Sequence, residues 1–194
     1  MTLENCRVGF ALTGSFCTLA KAMPVLERLK QSGADITPIM SEAVYSTDTR
    51  FGKAEDFIEF TEKTCNKSII HTVKDAEPIG PKKLLDIIIV LPCTGNTISK
   101  IANGINDTSV TMAVKSHLRN NRPVVLGIST NDGLGASGKN IGALLNTKNI
   151  FFLPFTQDDP ENKPKSLESK MDLTEKALIS ALEGKQIQPL LWKQ

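Results

Sequence analysis

The chain has 194 residues, enough for one substantial domain with its own core. Its 23 Lys and Arg against 21 Asp and Glu leave a net charge of +2, which excludes a polybasic surface built for nucleic acid. Hydrophobic residues are 40% and charged residues 23%, too apolar for a disordered chain, while aromatics at 5% require an aliphatic core.

Four cysteines, Cys6, Cys17, Cys65 and Cys93, stand far apart with no CxxC pair and no histidine at ligand spacing. Neither a zinc site nor a disulfide framework is expected, and the free thiols point to the reducing cytosol. Glu4 stands where a signal peptide carries positive charge, and the apolar run over 8–12 is too short for a signal core or a membrane span. No metal and no membrane segment is expected.

In chain order, residues 6–12 (CRVGFAL) read as a buried strand, then Thr13-Gly14-Ser15, then a helix over 16–31 whose Leu19, Met23, Leu26 and Leu29 share one face. Gly33 stops that helix, and 35–40 (DITPIM) is a second strand. A helix over 48–63 is expected to turn Phe51, Phe57, Ile58 and Phe60 inward, and 68–72 is a weaker third strand. Residues 86–91 (DIIIVL) form an unbroken β-branched run, as a strand covered on both faces requires. Helices over 94–103 and 109–119 follow, then strands over 123–128 and 149–154. Residues 158–165 are a turn-rich loop and 167–182 a final helix. Without repeats or linkers, this alternation predicts a single α/β domain over 1–194 with a parallel sheet, the C-terminal helix and tail over 166–194 packing on it.

Open parallel sheets bind ligands beyond the carboxyl ends of their strands. There this chain places Thr13-Gly14-Ser15, then Ser41-Glu42-Ala43, then Pro92 to Thr97, then Ser129 to Gly133. These loops are rich in hydroxyls, amides and glycine and poor in Lys and Arg, a composition suited to a phosphate held by backbone N–H groups and hydroxyls. No GxxxxGK[ST] segment is present. Gly133-Leu134-Gly135-Ala136-Ser137-Gly138 fits GxGxxG but follows its strand after a gap and lacks the acidic partner, so it reads as a flexible loop. Cys93 reads as a core filler, and His71 and His117 as structural residues.

The Thr13-Gly14-Ser15 turn and the segment from Pro92 to Ile105 (PCTGNTISKIANGI) resemble the phosphate loop and the P-A-S-A-N-T segment of the flavin-dependent cysteine decarboxylase-like flavoproteins. That resemblance implies a three-layer α/β/α fold with a six-stranded parallel sheet in the Rossmann-like order 3-2-1-4-5-6. It also implies FMN at Gly14, Ser15, Phe16, Ser41, Thr94, Gly95, Asn96 and Thr97, and a homotrimer or larger assembly that completes the flavin site between copies. The chain departs from the decarboxylases at their catalytic histidine, where it has Glu77, Pro78 and Ile79, and their P-x-M-N segment is here Ile128-Ser129-Thr130-Asn131. The Pro92-Cys93 pair is similar to that of flavin prenyltransferases.

The end of the chain, over 153–160, 163–164, 171–173 and 182–189, resembles a group within the family that acts beside an NAD(P)-binding A subunit on a small dicarboxylate in a sporulating cell. Asn96, Thr130 and Asn131 are then the candidates for holding the substrate carboxylate, with Lys139 or Arg119 as countercharge. A stand-alone FMN-dependent decarboxylase and a non-catalytic partner protein are the alternative functions.

Overall fold

A computed structural model describes residues 2–192. Met1, Lys193 and Gln194, which the expected 1–194 domain includes, lie outside the described residues.

The first half alternates β1 (Arg7–Leu12), α1 (Phe16–Gln31), β2 (Asp35–Met40), α2 (Glu42–Ser46), α3 (Ala54–Cys65) and α4 (Val73–Ala76). It continues with β3 (Ile87–Cys93), α5 (Gly95–Ala102), α6 (Ser109–Leu118), β4 (Val124–Thr130) and α7 (Gly138–Leu145). The chain closes with β5 (Ile150–Phe152), β6 (Phe155–Thr156), β7 (Leu167–Ser169) and α8 (Thr174–Leu182). No helix among the described residues is long and apolar enough to cross a membrane.

β2, β1, β3, β4 and β5 lie side by side in parallel, and Ile70 adds a parallel bridge to Ile39 on the outer edge of β2. The expected order is therefore present, but the third strand is one bridge, because Ile69 and Ile70 are flanked by Ser68, His71 and Thr72 and offer too little apolar length. The sheet is also not wholly parallel. The far end of β4 pairs antiparallel with β7, Ser129 opposite Glu168, and β7 pairs antiparallel with β6.

The central strands feed two cores through their period of two. Val8, Phe10 and Leu12 of β1 and Ile87, Ile89 and Leu91 of β3 meet α1, α3 and α8 on one face. Ile88, Val90 and Cys93 meet α5, α6 and α7 on the other, the last brought there by a register shift after Val90. Each helix layer thus buries its apolar stripe against aliphatic strands, giving the three-layer α/β/α fold.

Two helix starts and one loop differ from expectation. The helix expected from 48 begins at Ala54, whose N–H is taken by Asp48 Oδ1 at 2.9 Å, and Phe51 stays 45% exposed in the preceding turn instead of entering the core. The final helix begins at Thr174, because 167–169 is drawn into β7 and Met171–Leu173 forms a 3-10 turn. The Gly133–Gly138 stretch is pinned: Leu134 N–H donates to Lys165 O at 2.9 Å, and Gly135 and Ser137 N–H groups donate to Asp132 O at 2.8 and 3.2 Å.

Candidate functional site

The carboxyl ends of β1, β3 and β4 are tied together by short hydroxyl side chains. Thr13, 1% exposed, donates from Oγ1 to Pro92 O at 2.7 Å and accepts from Thr94 N–H at 3.1 Å, joining the first loop to the third. Thr94 caps α5, accepting from Thr97 N–H at 3.2 Å, with the two hydroxyls 3.0 Å apart. Ser15 precedes α1 without capping it. Its hydroxyl instead forms a triangle with those of Thr18 and Ser129, at separations of 2.7, 2.8 and 2.9 Å.

Gly95 opens α5 where no side chain fits. A Cβ there would stand 2.7 Å from Thr130 Oγ1, Asp132 Oδ1 and Ser137 Oγ. Those three atoms form their own cluster, Thr130 donating to the Asp132 carboxylate and Ser137 donating to it at 2.9 Å. The loop after β4 is thereby locked against the first turn of α5.

Between these loops opens a cavity of about 300 Å³. Gly14, Ser15, Thr94, Gly95, Thr130 and Asn131 line it, as do Cys17, Thr18, Lys21 and Ser129. Its further wall is Asp158, Lys163, Ser166, Leu167 and Glu168. Four expected site residues lie outside this lining. Phe16 packs on the core, Asn96 is exposed on α5, and Thr97 is buried with its hydroxyl on Thr94. Ser41 is 9% exposed at the end of β2, its Oγ buried without a hydrogen-bond partner. The loop carrying Ser41 runs close to the first loop, since a Cβ on Gly14 would stand 3.4 Å from Ala43 Cβ.

The expected countercharges are elsewhere. Lys139 lies beside Ser99, Asn103 and Asn140 between α5 and α7, and Arg119 lies at the end of α6. The cations of the cavity are Lys21 and Lys163, each with a carboxylate: Lys21 Nζ is 2.6 Å from Glu168 Oε1, and Lys163 Nζ is 3.5 Å from Asp158 Oδ2. Burial works to raise the Asp158 carboxyl, but a hydrogen bond from Ser166, its own backbone and Lys163 together hold it below the usual range. The sequence carries no local signal for the Lys21–Glu168 pair, whose members are 147 residues apart.

The remaining reactive side chains stand aside from this cavity. Burial pushes the Cys93 thiol well up, so it stays protonated. Burial also lowers His117 to about 4, outweighing its contact with the Pro123 carbonyl. His71 stacks on Tyr45 with ring centroids 3.8 Å apart. Among the described residues no group of three or more His, Cys, Asp or Glu is placed to hold a metal ion.

The donor set suits a flavin phosphate. Ser15, Thr94 and the uncapped first turn of α1 line the cavity beside Gly14, and the orphaned Ser41 Oγ supplies a buried polar atom that lacks a partner. Among the described residues no arginine lines this cavity, and Gly14 lets a ligand approach the backbone.

Known proteins resemble this chain over most of its length. The Flavoprotein family matches residues 1–157. The B subunit of dipicolinate synthase from Bacillus subtilis (strain 168) is 47% identical over 190 residues, 98% of this chain and 95% of that protein. The crystal structure of the dipicolinate synthase B subunit from Bacillus halodurans C superposes with a TM-score of 0.92 at 44% identity, covering 100% of both chains. An FMN-dependent cysteine decarboxylase, SpaF, shares the fold at a TM-score of 0.66 and 20% identity, over 92% of this chain and 98% of that one. The chain belongs to the flavoprotein family and, within it, groups with the B subunit of dipicolinate synthase.

Proposed function

We propose that the chain is the flavin-binding component of a dipicolinate synthase and acts with an NAD(P)-binding A subunit to oxidise dihydrodipicolinate to dipicolinate. The observation that carries this reading is the reach of the likeness. It runs over 98% of the chain and so includes the wall at 158–168, beyond the family match that ends at 157. A likeness confined to the phosphate loops would support flavin binding alone.

The reaction removes a hydride and a proton from the dihydropyridine ring and gains aromaticity. Bound FMN supplies an acceptor for two electrons. The chain's own residues do the holding. Ser15, Ser41, Thr94 and Thr97 are the hydroxyls for the phosphate, with Gly14 and Gly95 keeping the backbone open to it. Asn131, exposed on the cavity, offers its amide to a substrate carboxylate. Thr130 has already committed its proton to Asp132, so in this reading it shapes the loop that presents Asn131. We place the complex in the cytoplasm of the mother cell of a sporulating bacterium, with the chain acting as one domain and assembling as a homotrimer.

The test is the absorbance spectrum of the purified chain, followed by dipicolinate formation with and without the A subunit. Flavin bands and turnover that needs both proteins are expected. Full turnover by the A subunit alone would remove this chain from the chemistry. A second test is Asn131→Ala with the A subunit present, where a raised KM at an unchanged melting temperature is expected.

A further inference from the structure

The cavity described above does not end at Glu168. A second cavity of about 370 Å³ adjoins it, and the two share Lys21, Asp158 and Glu168. Lys21 is therefore the cation at the junction, reached from both sides. We infer that Lys21 is the carboxylate-recognising residue of this cleft and that Glu168 is its internal competitor, occupying the lysine until a ligand carboxylate takes its place. This rests on the reading of the chain as a protein acting on a dicarboxylate, and it names the residue that would recognise that class.

Geometry argues for the exchange. Glu168 sits in the middle of β7, opposite Ser129 on β4 and Thr156 on β6, so its side chain has a fixed origin. Cross-strand partners share a face, which puts Glu168 over the hydroxyl triangle of Ser15, Thr18 and Ser129. Lys21 reaches the same place from α1, one turn beyond Thr18. The lysine side chain is 58% exposed and the glutamate 18%. A pair so open to water on its cationic side contributes little to stability, and a long flexible lysine is easily turned to a new partner. A ligand carboxylate entering above the hydroxyls would gain a charge-assisted bond from Lys21, while Glu168 turned into the second cavity finds Lys170 on the same lining.

The experiment uses the full-length chain and dipicolinate itself as probe, with pyridine-2,6-dicarboxamide as the uncharged control, and titrates FMN separately. Lys21→Met is expected to raise the Kd for dipicolinate by about tenfold or more, and Glu168→Gln to lower it by about threefold. Neither change should alter dicarboxamide binding or the FMN titration. The opposite signs are the signature, because a merely structural pair would lose affinity in both variants. An unchanged Kd in Lys21→Met, weaker binding in Glu168→Gln, or loss of FMN in Lys21→Met would each overturn the proposal, as would failure of the wild-type chain to bind dipicolinate. Should Lys21→Met fail to fold, the sign of the Glu168→Gln effect decides alone. Absence of flavin from the wild-type chain would instead count against the proposed function, and it is read independently.

Discussion

Gly95 shows at the scale of one residue how the site is held. Its missing side chain lets Thr130, Asp132 and Ser137 close on the first turn of α5. Gly95→Ala would force a methyl group within 2.7 Å of three polar atoms, so the two loops must part. A loss of about 1–3 kcal/mol in unfolding free energy is expected, together with weaker flavin binding. Urea melts and a flavin titration check it, and a variant as stable as wild type would mean the loops move freely. His117 makes a second case, remote from the cavity. Burial lowers it to about 4, and its Nδ1 has no hydrogen-bond partner. A histidine in the unfolded chain ionises near 6.5, so between about 6.5 and 4 the unfolded state binds more protons. Stability contributed by neutral His117 is therefore full above that window and falls as pH drops through it. In His117→Leu the difference between urea midpoints at about pH 7 and about pH 4.5 should shrink; an unchanged difference would assign the acid sensitivity to carboxylates.

At the scale of elements, α1 joins the fold to the site. Its buried face, with Leu19, Leu26 and Leu29 at no more than 1% exposure, packs under β1 and β3, while its first turns present Ser15, Thr18 and Lys21 to the cavity. Leu26→Ala should cost about 2–5 kcal/mol, because rigid strands surround the space it leaves. A loss below about 1 kcal/mol in denaturant unfolding would show that the helix can settle into the gap. The helix was legible from sequence because its signal is local: four apolar residues on one face, with Ser15 before it and Gly33 at φ +86° after it. The central strands were legible for the same reason. What periodicity cannot carry is pairing between distant segments. Residues 167–169 read as the start of a helix until Ser129 is set opposite Glu168, and the third strand shrank because its neighbours are polar. The loops after β1, β3 and β4 were found through their composition. The wall at 158–168, with Lys163 and Glu168, was not, since nothing near it in sequence shows which cavity it closes.

For the whole molecule, the proposed trimer would bear on the site itself. Phe51, in the turn between α2 and α3, and Leu134, in the loop after β4, are 45% and 55% exposed, and Arg50 lies 4.8 Å over the Phe51 ring. Single exposed apolar residues are ordinary on a monomer, so these alone decide nothing. The place of Leu134 matters more, because its loop follows β4 and sets Asp132 and Ser137 against the first turn of α5, where a closed ring of copies would cover it beside the cavity. Closed symmetry is the common solution for soluble assemblies, and the family resemblance implies a flavin site completed between copies. The prediction is a mass by light scattering of three times the 21.1 kDa of the chain at micromolar concentration. Leu134→Ser should shift that mass toward the monomer and weaken flavin binding in step with it, since a ligand enclosed by two copies stabilises their contact by mass action. Dilution of the wild-type protein should then release flavin as the copies part. A monomer that keeps its full flavin would separate binding from assembly and place the whole cofactor site on one chain.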